Sequence, residues 1–189
     1  MSPPPWLPLL FSPYTHLPHP SFAETQPLPH TILTTHVLHR GFQSGALLAL
    51  PFASAEYIYR RRQSPLSARA LPSTTTLSSL ILRRAGVGAV IGTGFMVPGL
   101  FMRMVGREEI EWRDRSWRLL ENEGQMEVDG WSCLGMIGMG GLVGMGAGRG
   151  AVRGWQGVVG VVAVGNLVGV GGYLVSRYGL RGGEGSKDK

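Results

Sequence analysis

The chain has 189 residues, enough for one domain or at most two, and its 18 basic residues against 12 acidic ones leave a net charge of +6. Nucleic acid is not the partner this charge suggests, because the arginines flank apolar runs and form no separate basic face. A single cysteine, Cys133, excludes an intramolecular disulfide and a multi-cysteine metal site. Proline and glycine are segregated, proline at the start and glycine over the last hundred residues.

Residues 1–29 hold nine prolines and read as an extended arm, since proline removes a backbone donor and blocks helix. The first arginine is Arg40, so neither a secretory signal nor an arginine-rich transit peptide is evident. All five histidines (His16, His19, His30, His36, His39) lie in or just after the arm. Two H-x-x-H pairs with only Glu24 nearby supply too few convergent ligands, and no metal is expected.

Residues 30–177 read as an all-α membrane domain of about four transmembrane helices. The first span, about 41–59, carries a proline at 51 and ends in Arg60, Arg61 and Arg62. Its one acid, Glu56, lies one turn before Arg60, a stabilising spacing. The loop to Arg84 has six arginines and no acid, which places it on the cytoplasm-like side with both termini opposite. The second span, about 85–105, has a proline at 98 and Arg103 near its end, a side chain long enough to reach headgroups. The third, about 131–148, is short and glycine-rich. The fourth, 155–176, carries no charge and is about 33 Å long at about 1.5 Å per residue, a bilayer core. The third and fourth spans form a glycine-rich C-terminal hairpin, and residues 178–189 are a polar tail.

Glycine is costly in a water-exposed helix, up to about 1 kcal/mol relative to alanine, whereas in lipid it lets helices approach closely. Gly88 and Gly92, then Gly140, Gly144 and Gly148, then Gly165 and Gly169 repeat at four-residue spacing and are the predicted helix-packing stripes.

Between the second and third spans the pattern predicts an amphipathic helix over about 108–122, stopped by Gly124. Glu109/Arg113, Glu111/Arg115 and Asp114/Arg118 are acid-first pairs, each worth about 0.2–0.5 kcal/mol. On the apolar side Trp112, Trp117 and Leu120 are the predicted anchors for a partner.

The order of these features resembles a fungal accessory subunit of the membrane arm of respiratory complex I, NADH:ubiquinone oxidoreductase. It rests on PLPHTILTTHVLHRGFQSGA, an arginine-terminated span, and EWRDRSWRLLENEGQMEVD before a glycine-rich helix pair, covering roughly Pro27 to Arg177. The resemblance implies a multi-pass protein of the mitochondrial inner membrane with a structural or assembly role and no redox centre. The long proline-rich start and the glycine density depart from that pattern. The chain is also similar, without a decisive motif, to four-span glycine-rich translocase subunits of the same membrane.

Tests for catalytic chemistry return little. The dinucleotide fingerprint fails because Ile91, Arg149 and Leu174 stand where a third glycine is needed, and there is neither a Walker lysine nor a G-x-S-x-G. No catalytic, cofactor-binding or metal-binding residue is therefore expected, and no small-molecule substrate. The expected function is that of a non-catalytic accessory subunit of complex I, with other subunits and the lipid bilayer as partners. The alternative is a small transporter or protein-translocase component, for which Glu56, Arg103 and Asn166 are the polar residues at or near membrane depth.

Overall fold

The computed structural model describes residues 12–14, 17–63 and 76–180. The first part of the proline-rich arm, His16, the centre of the arginine loop and most of the polar tail lie outside the described residues.

The described residues form five α-helices: α1 Pro29–Gln63, α2 Leu77–Met104, α3 Glu109–Glu121, α4 Glu123–Gly144 and α5 Gly154–Leu174, which runs on into a π-helical turn, Val175–Leu180. Helix α1 opens on proline, whose fixed φ and missing N–H suit the first helical position. It begins well before Gly41 because nothing between His30 and Arg40 breaks a helix. Pro51 and Pro98 both sit inside continuous helices. Thr76 caps α2, its hydroxyl accepting from the Ser79 N–H at 3.3 Å.

Asn122, and not Gly124, ends the amphipathic helix. Its backbone N–H closes the last turn of α3 on the Leu119 carbonyl, and its side chain accepts from the Gln125 N–H at 3.1 Å to open α4. Gly124 falls in the first turn of α4. The turn between α4 and α5 uses left-handed backbone at Gly148 (φ 67°) and Gly154 (φ 58°), where glycine is unstrained.

Helices α1 and α2 form one antiparallel hairpin, α4 and α5 a second, and α2 packs on α5 to join them. Helix α3 lies at the end of the bundle where α1 begins and α2 stops, against α1 and the short 3₁₀ turn Ala23–Thr25. The core is built from small residues: Ala46, Ala85, Ala89 and Ala163 are buried together, with Phe42, Leu50, Val164 and Leu167 packed around them.

Close approach explains the small core. A methyl group on Gly45 would overlap the Gly88 carbonyl oxygen, and one on Gly92 the Gly41 carbonyl oxygen. Gly86 and Gly160 do the same between α2 and α5, as do Gly135, Gly165 and Gly169 between α4 and α5. Each crossing brings backbone against backbone, so dispersion contacts replace the large side chains of a water-soluble core.

Two helices are long and apolar enough to cross a membrane, Leu77–Met104 and Gly154–Gly179. That is fewer than the four spans expected. Helix α1 devotes its first half to His30, His36, His39 and Arg40 and its last turn to arginines. Helix α4 begins with Glu123, Gln125, Glu127 and Asp129, and its second half is rich in glycine. Both helices therefore bring polar side chains into the bundle that a span defined by hydropathy alone would not carry.

Candidate functional site

On α1, His36, His39, Arg40 and Gln43 are spaced by three or four residues and share one face. Gln125, Asp129 and Ser132 do the same on α4, and Asn166 is the fully buried amide of α5. The three faces meet. Asp129, 1% exposed, lies with Oδ2 3.1 Å from His36 Nδ1 and Oδ1 2.7 Å from Arg40 Nη2. The Arg40 contact has ion-pair distance but not hydrogen-bond direction, so Oδ1 is left without a hydrogen bond.

Arg40 also donates to Gln43 Oε1 and Gln125 Oε1, both at 2.7 Å. Gln43 donates to Asn166 Oδ1 at 3.0 Å, which orients the buried amide so that its Nδ2 faces His39 Nε2 at 3.2 Å. His39 Nε2 is also 2.8 Å from the Ser132 hydroxyl, which itself donates to the Asp129 carbonyl. One ring nitrogen cannot both accept from Asn166 and donate to Ser132. The two contacts therefore belong to alternative tautomers of His39.

Tyr14 closes the arm side of this cluster, its ring centroid 6.5 Å from that of His36. Its hydroxyl is buried without a hydrogen-bond partner, and burial first, then the Asp129 charge, pushes the phenol well above its ordinary pKa. An unsatisfied buried hydroxyl costs about 1–3 kcal/mol. Among the described residues no three His, Cys, Asp or Glu side chains converge as a metal site. What the arrangement can do is bind three helices together through a compensated buried charge.

The apolar face of α3 meets the chain itself. Trp117 Nε1 donates to the Pro20 carbonyl at 2.9 Å and its ring takes the edge of His19 at 5.5 Å. Trp112 stacks on His30 with centroids 4.2 Å apart, and Arg113 donates to the Glu24 carbonyl at 2.6 Å. His30 Nε2 lies 2.7 Å from Glu109, and this hydrogen bond first, with Arg113 assisting, holds the Glu109 carboxyl below its usual range. The expected partner anchors Trp112 and Trp117 are thus occupied by the arm and the start of α1, with Leu120 half-buried beside them. The aromatic signal was in the sequence, but its occupant lay about ninety positions away. The acid-first pairs of α3 are present at 3.4 Å, 3.6 Å and 3.0 Å. They are half-exposed and contribute little.

The predicted packing glycines divide. Gly88 and Gly92 face α1, and Gly165 and Gly169 face α4, all in close backbone contact. Gly140 and Gly144 meet nothing within 4 Å, and Gly148 lies in the turn with open space around it. Their stripe faces away from the bundle. The partner stripe on α4 is carried instead by Gly135, which the four-residue spacing did not pick out.

Of the polar residues read as membrane candidates, Asn166 is in the cluster. Glu56 is clamped by Arg60 at 2.5 Å and by Arg84 of α2 at 2.6 Å, which ties the far end of the first hairpin. Arg103 has no ion-pair or hydrogen-bond partner among the described residues.

The chain belongs to the family described as "Protein of unknown function (DUF1757)", whose model matches residues 21–170. The match begins within the segment that seats α3, just after Pro20, and runs through Asn166, so it includes all of the cluster except Tyr14. No curated protein and no solved structure matches the chain.

Proposed function

We propose that this protein is a non-catalytic structural subunit of a larger complex of the mitochondrial inner membrane, packed against the membrane arm of NADH:ubiquinone oxidoreductase. The observation that carries this reading is the contrast between its interior and its outside. Inside, the buried Asp129 charge is met by basic groups of the same chain. Outside, Ile91, Phe95, Phe101 and Met102 of α2 and Val158 and Val168 of α5 stand half to three-quarters exposed, a surface that suits lipid or a neighbouring helix. The particular complex comes from the resemblance of Pro27 to Arg177. Four crossings of the membrane remain part of this proposal, with α1 and α4 carried across by the polar partners they share with α5.

The test is extraction of native membranes in a mild detergent, native gel separation and mass spectrometry of the band that holds the chain. Co-migration with the respiratory complex is expected. Migration alone or as a small homo-oligomer overturns the reading.

A transport role is the second reading, and the observation that favours it is His39 poised between Asn166 and Ser132 with two tautomers available. Proton or solute flux into vesicles containing the purified chain, abolished by Asp129→Asn, would place it first. Silent vesicles would remove it.

A further inference from the structure

Arg103, without a partner among the described residues, lines a groove of about 460 Å³ where α1, α2 and α3 meet. Leu33 and Val37 of α1 and Leu100 of α2 supply its apolar wall, and Arg103 with Arg115 and Arg118 of α3 supplies its basic rim. Arg115 reaches Glu111 at 3.6 Å and the Met104 sulfur at 3.3 Å, and Arg118 pairs with Asp114 at 3.0 Å. Of the three guanidiniums, only that of Arg103 lacks a partner among the described residues.

A second groove of about 330 Å³ shares Leu100 and Met104 with the first and is otherwise apolar, lined by Val97, Phe101, Val105 and Trp112. Of its lining, Phe101, Leu100 and Val97 run back along α2 from Arg103 into a helix long enough to cross a bilayer. A basic rim at the end of such a helix, continuous with two apolar grooves, has the layout of one ligand class: a charged head with two hydrocarbon tails.

We propose that this site binds an anionic diacyl phospholipid. Its phosphate is held by Arg103 with help from Arg115 and Arg118, and its acyl chains lie along Leu33, Val37 and Leu100 and along Val97 and Phe101. Asp114 opposes the phosphate and limits affinity. Arginine suits the task because its planar fork donates two parallel hydrogen bonds to phosphate oxygens and is never neutral. The proposal rests on the membrane reading of α2 and on no particular partner complex.

The test uses the full chain in a zwitterionic detergent, titrated with short-chain phosphatidylglycerol, with phosphatidylcholine of the same chain length, and with inorganic phosphate. Phosphatidylglycerol should bind at least about tenfold more tightly than phosphatidylcholine, because both carry the phosphate but the choline ammonium of the latter is repelled by the arginines. Arg103→Gln should cut that preference severalfold, weakening phosphatidylglycerol binding more than phosphatidylcholine binding. Asp114→Asn should strengthen phosphatidylglycerol binding, a gain that a damaged fold cannot produce.

Equal binding of the two lipids overturns the proposal, and so does an unchanged preference in Arg103→Gln. Inorganic phosphate binding as tightly as the lipid would make this a free-anion site and overturn the lipid assignment. Solubility without detergent is measured alongside. A chain that stays monodisperse in buffer alone sinks the membrane reading itself, whereas one that needs detergent and does not discriminate sinks only the lipid site.

Discussion

Two stretches of this molecule are equally rich in glycine and behave in opposite ways. Gly165 and Gly169 of α5 lie against the backbone of α4 and are buried, whereas Gly140 and Gly144, further along α4, have open space where a side chain would stand. Spacing is the same in both. The difference is which way the stripe points relative to the neighbouring helix, and that is set by where the helices cross. A repeat of small residues therefore licenses close approach without naming what approaches.

The largest effect that would break this comparison is Gly169→Leu set against Gly144→Leu. A side chain at 169 runs into the Trp131 carbonyl, so the α4–α5 hairpin cannot close, and the thermal transition in detergent should be lost or lowered by many degrees. Leucine at 144 meets nothing within the chain and should leave that transition in place. Equal damage at both positions would mean that the two stripes are not distinguished as described.

Next in size is the polar counterpart of the glycine crossings. Asp129→Ala leaves Arg40 and His36 facing each other without their anion, and breaking a buried pair in this way costs about 3–5 kcal/mol. Loss of less than about 1 kcal/mol in chemical unfolding would show that the cluster does not hold α1 to α4 and α5.

The smallest effect concerns the exposed end of the bundle. The Glu109 carboxyl is held below its ordinary value of 4.5 by His30, so its contribution is present above that value and is lost as pH falls through the lower folded value. Glu109→Gln should be slightly less stable than the natural chain at pH 7, with the gap closing on acidification below about pH 5. A gap that widens at low pH would contradict the pairing.

Much of the helical layout was legible because its signals are local. Helices α2 and α5 announce themselves by uninterrupted apolar length, and α3 by its period and its acid-first pairs. The starts of α1 and α4 were not legible, since His30 to Arg40 and Glu123 to Asp129 read as polar flanks of a span. They are helical because each polar face finds the other, a pairing across 93 positions between His36 and Asp129. For the same reason the H-x-x-H spacing of His36 and His39 correctly placed both rings on one face but pointed to no anion. Asn166 stood out as an amide in the middle of an apolar helix, and what it faces required the fold. Trp112 and Trp117 taught the converse lesson: an aromatic face asks for an occupant, and here the chain supplies its own.

The central claim is that the outside of this bundle is turned to lipid or to another membrane subunit. It is tested most directly by placing a benzophenone amino acid at Phe95, which is 76% exposed on α2, and irradiating intact membranes. The account predicts covalent adducts with lipid or with a separate membrane-embedded chain. Recovery of the chain in the aqueous fraction, with no adduct to either, would contradict it.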